Sequence, residues 1–312
     1  MRVLSLFSGI GGLDQGFVDA GYKIVWANDF DKYAVQTYEA NYDTEIVLGD
    51  INDIPLESLP EFDVLIGGFP CQPFSMMGSE LGFEDARGTL FFRIAEIIKY
   101  KIEKNEKPKV IVLENVRTLR THDKGKTFKT IKHIMENDLG YKVFDEILNS
   151  ANYGVPQTRN RTYIVCFANE NAEYQFPEGQ ELNCTLQDLL ETDVEDKYFL
   201  SDRILPTILS DGTGGYKAKS EIDLKIARPL CATMGKMHRA CQDNYVTQNG
   251  RVRRLTPREC ARLQGFDDSF VIPVSNAQAY KQFGNAVTVN VARAVADSIR
   301  KTLEDLGEWN GE

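Results

Sequence analysis

The first 168 residues alternate between short apolar runs and amphipathic segments, and no other feature of the sequence limits the fold so strongly. Runs such as Val64-Leu65-Ile66 are continuously apolar, whereas 90–104 carries apolar residues at helical spacing. Because such strands alternating with helices are typical of a sheet covered on both faces, we expect an α/β fold with a doubly wound, mostly parallel sheet. The predicted strands are 2–7, 23–27, 45–48, 63–66, 110–113, 142–148 and 162–167, and the predicted helices are 13–20, 33–42, 90–104 and 127–139.

The alternation ends after about residue 168. The segment 169–278 has short, mixed patterns with breaks such as Asp211-Gly212-Thr213-Gly214-Gly215. A helical pattern then returns over 278–306. We therefore expect two domains, an α/β domain formed by 1–168 with 279–312 and a smaller, irregular domain formed by 169–278.

The charges are distributed unevenly along the chain. The net charge of −10 argues against a nucleic-acid partner. Acidic residues dominate 170–196, however, whereas 217–262 is rich in lysine and arginine. A local basic stripe is typical of phosphate binding, and a merely solvated face is the alternative interpretation.

The composition argues against several other classes of protein. No apolar stretch is long enough to span a bilayer, and Gly9, Gly11 and Gly12 interrupt the N-terminal apolar run before a signal sequence is complete. The six cysteines include no C-x-x-C pair, so neither a disulfide framework nor a metal site is indicated. We expect a cytoplasmic protein that binds no metal and no membrane.

Three successive predicted strand ends carry groups that suit an adenosine ligand. The turn Phe7-Ser8-Gly9-Ile10-Gly11-Gly12 follows the first strand, and glycines there let the backbone approach a ligand closely. Asp29 and Phe30 end the second strand, where a carboxylate can accept hydrogen bonds from ribose hydroxyls. Asp50 and Ile51 end the third strand and suit an adenine amino group and ring. Three ordinary turn acids are the alternative interpretation.

Reactive side chains follow later strands. Cys71 lies in 67–75, a loop rich in Gly and Pro directly after a predicted strand, where an open α/β sheet presents chemistry. Glu114 ends the fifth strand and can share a proton with a base ring nitrogen. Arg159 and Arg161 point the same way if their segment is extended. One can neutralise a developing oxyanion and the other can hold a carboxylate or phosphate, although each alone also suits a surface salt bridge.

Taken in chain order, these segments resemble the motifs of the bacterial DNA (cytosine-5)-methyltransferases that accompany restriction endonucleases. The resemblance covers 1–168 and 251–300, whereas 169–250 matches nothing assignable, as in that family's variable target-recognition region. It implies the Rossmann-like fold of class I SAM-dependent methyltransferases, with 1–168 plus 279–312 catalytic and 169–278 as the target-recognition domain. The motifs are Phe7-Ser8-Gly9-Ile10-Gly11-Gly12, Asp29, Gly49-Asp50-Ile51, Gly68-Phe69-Pro70-Cys71-Gln72-Pro73-Phe74-Ser75, Arg87-Gly88-Thr89-Leu90, Glu114-Asn115-Val116, Gln157-Thr158-Arg159-Asn160-Arg161, 254–266 and Gln282-Phe283-Gly284-Asn285-Ala286-Val287.

The resemblance implies methyl transfer from S-adenosyl-L-methionine to C5 of cytosine, with S-adenosyl-L-homocysteine as the product. It assigns to Cys71 the thiolate that adds to cytosine C6, which makes C5 nucleophilic. It assigns stabilisation of N3 to Glu114 and binding of O2 to Arg161, with Arg159 also catalytic. The cofactor-binding residues that it implies are Phe7, Gly9, Gly11, Asp29, Phe30, Asp50, Ile51, Pro70, Leu90, Asn285 and Val287.

The target cytosine is stacked inside double-stranded DNA, so it must be flipped out, at a cost of a few kcal/mol. We expect the protein to act as a monomer, bacterial or phage-encoded, with a cognate restriction endonuclease in the same cell. The expected DNA-binding residues are Gln72, Ser75, Arg87, Thr233, Lys236, Arg239 and Arg254.

Two other activities remain as alternatives, an RNA (cytosine-5)-methyltransferase and a catalytically inactive DNA-binding regulator. The related enzymes that methylate transfer RNA usually carry a late Cys-Phe-Thr tripeptide, which this chain lacks. Intact Cys71, Glu114 and Arg161 argue against the inactive regulator. The sequence does not reveal the DNA sequence that is recognised, because side-chain types alone do not form a code.

Overall fold

The computed structural model describes residues 1–70, 90–211, 219–236 and 240–309. The strands in these ranges are β1 (Arg2–Leu6), β2 (Lys23–Asp29), β3 (Ile46–Leu48), β4 (Val64–Gly67), β5 (Val110–Val116), β6 (Lys142–Asn149), β7 (Asn160–Phe167), β8 (Tyr245–Gln248) and β9 (Arg251–Arg254). The α-helices are α1 (Gly12–Asp19), α2 (Lys32–Glu39), α3 (Leu90–Glu103), α4 (Lys126–His133), α5 (Leu205–Ile208), α6 (Pro257–Leu263), α7 (Asn276–Asn285) and α8 (Val289–Asp305).

Seven of the described strands form one sheet, in the order β3-β2-β1-β4-β5-β7-β6. The pairs from β3 through β5 are parallel, and β7 runs antiparallel to β5. Val64, Leu65 and Ile66 in β4 are fully buried, as expected for a strand that is covered on both faces. The predicted α/β fold with a mostly parallel sheet is confirmed.

The strand order reverses between β1 and β4. The chain builds outward from β1 through β2 to β3, and then resumes on the other side of β1 with β4 and β5. Leu6 pairs with Gly67, so the segments that follow β1 and β4 begin at the same edge of the sheet. Open α/β sheets bind ligands outside the carboxyl ends of the strands at such a reversal.

Helix α3 supplies much of the core on one side of the sheet. Phe91, Ile94, Ile97 and Ile98 are buried and belong to one apolar cluster with strand residues such as Leu65. Burying a side chain of this size stabilises the fold by about 1.5–3 kcal/mol. The helical spacing of these residues therefore fixes the face that α3 turns inward.

The chain forms two compact units. Unit 1 consists of Met1–Leu148, Asn160–Glu178 and Ala292–Glu312, and it contains most of the large sheet. Unit 2 consists of Asn149–Arg159 and Gly179–Val291, and it contains the β8–β9 hairpin. The assignment of 1–168 plus 279–312 to catalysis and of 169–278 to target recognition stays a prediction.

Unit 2 contains an ion pair without solvent contact. Arg253 Nη2 lies 2.6 Å from Glu259 Oε1, and both side chains are fully buried. A second bond of 2.8 Å joins Nη1 to Oε2, and Arg253 Nε donates to Gln248 Oε1 at 2.6 Å. Glu259 also accepts from the amide of Thr256, the N-cap of α6. The pair joins the hairpin to the start of α6, because Arg253 lies in β9 and Glu259 lies in α6. Each of the two charges also has several other hydrogen-bond partners.

The helical pattern over 278–306 forms two helices rather than one. Helix α7 ends at Asn285 and α8 begins at Val289. Ala286, between them, is extended with φ −55° and ψ 145°. The apolar spacing continues across this break, which is why the sequence pattern alone does not reveal it.

Two kinds of feature are absent from the part of the chain that the structure describes. No helix there is long and apolar enough to cross a bilayer. No His, Cys, Asp and Glu side chains are grouped there so that they could hold a metal ion. The described cysteines, Cys166, Cys184, Cys231, Cys241 and Cys260, are all free thiols.

Replacing Glu259 by Gln should destabilise the protein strongly. The substitution keeps the side-chain size but leaves the Arg253 charge buried without its counterion, so we expect the free energy of unfolding to fall by about 3 kcal/mol. Urea denaturation of the full chain measures this change. The matched control is Glu195→Gln, which removes a mostly exposed ion pair with Lys197 and should change stability little. Equal stability of the two variants would contradict the prediction.

Candidate active site

The glycine-rich turn after β1 has an unusual backbone. Phe7, Gly9 and Gly11 have positive φ values of 54°, 57° and 82°. A Cβ added at Gly11 would lie 2.4 Å from the Tyr42 ring, whereas one added at Gly9 would meet no described atom within 4 Å. Among the described residues, Tyr42 therefore fills the space at Gly11, and none fills the space at Gly9.

Asp29 is fixed beside this turn. The residue is 8% exposed, at the end of β2. Its Oδ2 accepts from the Gly9 amide at 2.9 Å, and its Oδ1 accepts from the Asp31 amide at 2.8 Å. A carboxylate oxygen can accept more than one hydrogen bond, so hydroxyl donors of a ligand could bind to this group as well.

The segment after β3 presents one polar and one buried residue. Asp50 is exposed, and its Oδ1 accepts from the amide and the side-chain nitrogen of Asn52, both at 2.9 Å. Ile51 is 2% exposed, and its carbonyl accepts from Arg93 Nε at 3.1 Å. The contact of Arg93 could not be predicted from the sequence, because the apolar spacing on α3 identifies its buried face and not the partner of an outward arginine.

Large apolar side chains stand exposed at the same edge. Phe30, directly after β2, is 72% exposed, and Leu48, the last residue of β3, is 53% exposed. Pro70 is exposed and Leu90 is half-buried. An aromatic ring this exposed is available to pack against a planar ligand.

A buried acid is linked to the glycine-rich turn by hydrogen bonds. Asp14, in the first turn of α1, is fully buried and accepts from the hydroxyls of Ser5 and Tyr38, each at 3.0 Å. The Ser8 hydroxyl donates to the Ser5 hydroxyl at 2.9 Å, which links Asp14 to the glycine-rich turn. Burial raises the pKa of Asp14 from 3.8 to about 6. Asp14 was not among the predicted site residues, although its position on the inward face of a predicted helix is a signal in the sequence.

Glu114 and Arg161 meet at the carboxyl end of β5. Because β7 is antiparallel to β5, the first residues of β7 lie at that end. Arg161 Nε is 3.0 Å from Glu114 Oε1, and the two side chains are 20% and 9% exposed. The neighbouring Asn115 donates from its side chain to the Phe69 carbonyl at 2.8 Å, which holds the segment after β4 beside β5.

Arg159 has different partners from Arg161, and they lie in unit 2. Arg159 is 1% exposed. Its Nη2 donates to the carbonyls of Gly284 and Ala286 at 3.1 and 2.8 Å. These carbonyls flank Asn285, which is exposed, and precede Val287, which is half-buried. Arg159 therefore fixes this turn of the backbone, and its contact with a substrate stays a prediction.

Further buried polar groups stabilise the same part of unit 2. The Leu230 carbonyl accepts from Arg159 Nη1 at 3.0 Å, and the Leu230 amide donates to Gln157 Oε1 at 2.8 Å. Gln264, fully buried, donates to the Phe283 carbonyl at 2.6 Å. In the segment 157–161, Gln157 and Arg159 therefore form hydrogen bonds with main-chain atoms of unit 2.

Three of the predicted DNA-binding residues are described, all in unit 2. Thr233 and Lys236 are exposed in a turn closed by the Lys236 amide and the Thr233 carbonyl at 2.9 Å. Arg254, on β9, lies 5.8 Å from the centroid of the Tyr280 ring. Arg254, Tyr245 and Tyr280 help to line a small pocket.

The remaining predicted site residues lie outside the described residues. They are Cys71, Gln72, Ser75, Arg87 and Arg239. The described chain ends at Pro70, directly before the predicted nucleophile, and resumes at Leu90.

The fold and the polar groups at this edge of the sheet together define a class of protein. A parallel sheet with a reversed strand β7 is the fold of the SAM-dependent methyltransferases. The crystal structure of S. pombe Dnmt2 methyltransferase shares it with a TM-score of 0.79 over 98% of this chain and 99% of that one, at 22% sequence identity. At that identity the likeness concerns the fold alone.

The chain belongs to the C-5 cytosine-specific DNA methylases, whose family model matches residues 1–301. Type II methyltransferase M.NlaX of Neisseria lactamica is 39% identical over 322 residues, which cover 98% of each chain. Type II methyltransferase M.HhaI of Haemophilus parahaemolyticus is 39% identical over 320 residues, 97% of this chain and 95% of the relative. The predicted DNA (cytosine-5)-methyltransferase is confirmed, and these likenesses support neither alternative. A methyl donor and a DNA substrate follow from the family.

Asp14 should make stability depend on pH. Its pKa is raised from 3.8 to about 6, so the protonated form is favoured in the folded protein. Stability relative to Asp14→Asn should be greatest below about pH 4 and should be lost as the pH rises through about 6, by roughly 3 kcal/mol in all. Denaturation of both proteins between these pH values measures the difference. Asp43→Asn, at an exposed position, is the control. A difference between wild type and Asp14→Asn that is independent of pH would contradict the prediction.

Proposed function

We propose that this enzyme transfers a methyl group from S-adenosyl-L-methionine to C5 of a cytosine flipped out of duplex DNA, within one short sequence, and releases S-adenosyl-L-homocysteine. The observation that carries the proposal is the Glu114–Arg161 ion pair of 3.0 Å at the carboxyl end of β5. Asn115 holds the Phe69 carbonyl at the same end, two residues before Cys71. An acid, a guanidinium and a thiol are the groups that attack on cytosine requires.

The donor fits the groups around the glycine-rich turn. When bound, S-adenosyl-L-methionine supplies an electrophilic methyl group. Asp29, fixed by two backbone amides, would accept from its ribose hydroxyls. Phe30 would pack against the adenine ring, and Asp50 would accept from the adenine amino group. The open backbone at Gly9 leaves room for the ligand.

Cys71 would act as the nucleophile. Its thiolate adds to cytosine C6, and the electron pair of the C5–C6 double bond becomes available at C5, which takes the methyl group. Loss of the C5 proton to a base then re-forms the double bond and expels the thiolate. The cysteine is thereby regenerated for another cycle.

Glu114 and Arg161 would stabilise the ring during addition. Negative charge develops at N3 and O2 when the thiolate attacks. Glu114 would hold a proton at N3, and Arg161 would donate to O2. Their pairing, with side chains 9% and 20% exposed, orients both groups before the base arrives. Charged groups that are oriented in advance stabilise the developing charge more strongly in a site that contains little water.

The buried guanidinium of Arg159 would serve the cofactor indirectly. It holds the carbonyls on both sides of Asn285, and we assign Asn285 and Val287 to the cofactor pocket. We also assign Pro70 and Leu90 to cofactor binding. In this reading Arg159 is a positioning residue rather than one that contacts the base.

Target recognition would belong to 169–278. Thr233, Lys236 and Arg254 would contact DNA there, together with Arg239. Phosphate contacts fix the register of a protein on DNA, whereas contacts to base edges specify the sequence. The enzyme would act in the cytoplasm as a monomer. A cognate restriction endonuclease would accompany it, and the names of the type II relatives support only this last point.

Cys71→Ser should abolish methyl transfer and leave cofactor binding intact, because a hydroxyl is a far weaker nucleophile than a thiolate at neutral pH. Transfer of tritiated methyl groups to DNA measures the activity, and bisulfite sequencing of the product identifies the methylated sequence. A duplex with 5-fluorocytosine at that position should trap the wild type covalently, since C5 then has no removable proton. The control Cys184→Ser should keep full activity. Turnover by Cys71→Ser near the wild-type rate would overturn the assignment.

Asp29→Ala should weaken the binding of S-adenosyl-L-methionine by roughly ten- to a hundredfold, because hydrogen bonds to a charged group are worth about 1.5–3 kcal/mol. Isothermal titration calorimetry measures the affinity directly and requires no DNA. Asp53→Ala is the matched control, since Asp53 is an exposed acid in the helical turn after β3. If the two variants bind the cofactor equally well, Asp29 does not contact the ribose.

A further inference from the structure

The segment 117–133 is strongly basic in an acidic protein. It contains six lysines and arginines, Arg117, Arg120, Lys124, Lys126, Lys129 and Lys132, and a single acid, Asp123. The whole chain has a net charge of −10. The predicted recognition region does not include this segment, which belongs to unit 1.

Four of these side chains form what we call the basic face, namely Arg117, Lys124, Lys126 and Lys129. All four residues are exposed. They lie on successive elements that pack against one another, the helical turns Arg117–Arg120 and His122–Gly125 and then α4. The inward side of α4 carries the buried Thr127 and Ile131, so Lys126 and Lys129, three residues apart, share its outer side.

The basic face has no acidic partner among the described residues. The nearby acid Asp145 pairs instead with Arg120, and also with Lys132 at 3.4 Å. Glu136 lies 3.9 Å from Lys132. Asp123 is itself exposed in the turn and is the one acid within the segment.

The backbone that carries Lys124 is also unusual. Asp123 and Lys124 have φ values of 47° and 54°, and Gly125 follows with 83°. Consecutive residues other than glycine rarely adopt this region, and such strain is often retained where a side chain has a function. The strain is here combined with exposed positive charge.

The basic face begins beside the active site. Arg117 follows Val116, the last residue of β5, and Val116 pairs with Arg161. Glu114 lies three residues before Arg117. The carboxyl end of β5 therefore leads from the proposed catalytic acid directly into the exposed cations.

We propose that the basic face binds the phosphate backbone of duplex DNA outside the recognition sequence, as a second contact surface in addition to the recognition region. The proposal depends on duplex DNA being the substrate and does not depend on which residues perform the chemistry. Exposed cations that have no acidic partner in the described parts of the chain, next to the site where the target base reacts, match a polyanion that extends beyond that base. The contact would be independent of sequence, because phosphates carry no base information.

The triple variant Lys124→Gln, Lys126→Gln, Lys129→Gln tests the proposal. The matched control is Lys23→Gln, Lys104→Gln, Lys301→Gln, which removes the same charge from exposed positions elsewhere in unit 1. The probes are fluorescently labelled duplexes of about 12 and about 40 base pairs, centred on the sequence that bisulfite sequencing identifies. Affinity is measured by anisotropy over a range of salt concentrations.

On the long duplex, the triple variant should bind roughly tenfold or more weakly than the control. The slope of log K against log salt should become shallower by up to about 2.7, since each lost phosphate contact contributes about 0.9. On the short duplex the two variants should bind alike. Cofactor binding and single-turnover methyl transfer at saturating DNA should match the wild type, and Lys124→Arg, Lys126→Arg, Lys129→Arg should restore the slope.

Two results would overturn the proposal. One is an equal affinity and slope for the triple variant and the control on the long duplex. The other is an equal loss on both duplexes, which would place the lysines at the target itself. A wild type that binds both duplexes but methylates neither would instead overturn the proposed function, so the two failures can be told apart.

Discussion

The antiparallel pairing of β7 with β5 is the constraint on which the candidate active site depends. In a fully parallel sheet, the residues before a strand lie at the edge opposite its neighbour's carboxyl end. The reversal brings Arg161, near the start of β7, to the end of β5 and within 3.0 Å of Glu114. A side chain that comes after β5 and β6 in the sequence thereby joins those that follow β1, β2 and β4 at one edge. The central strands β4 and β5, which carry Glu114 and lead to Phe69, are buried on both faces.

Much of the fold could be predicted because parallel strands leave a simple signature. The run Val64-Leu65-Ile66 is apolar without alternation, and its burial follows from that pattern alone. The acids at strand ends could be predicted for the same reason, since they interrupt apolar runs at positions where ligands bind. Asp29 illustrates this. Its position at a strand end could be predicted from the sequence, whereas the two amides that donate to it could be identified only from the fold.

Side-chain partners could not be predicted where they depend on distant segments. Arg159 and Arg161 have the same chemistry and adjacent odd positions, yet one holds carbonyls at 284 and 286 and the other pairs with Glu114. Asp14 is a second case, because an acid in a helix is normally exposed and its hydroxyl donors come from two other elements. The basic face is a third, since its charge is visible in the sequence, whereas the absence of an acidic partner among the described residues is visible only in the structure.

Gly9 and Gly11, in the turn after β1, differ in what a larger side chain would meet. At Gly11 the obstacle is the protein's own Tyr42 ring, whereas at Gly9 no described atom occupies the space that a side chain would take. Selection on Gly11 therefore acts through folding and would persist in a descendant that had lost its activity. Selection on Gly9 beyond its backbone conformation acts through whatever fills that space. In a copy of this gene that is no longer selected for activity, Gly9 should accept substitutions before Gly11 does. The order of the two substitutions would show whether the loss of catalysis preceded the loss of folding.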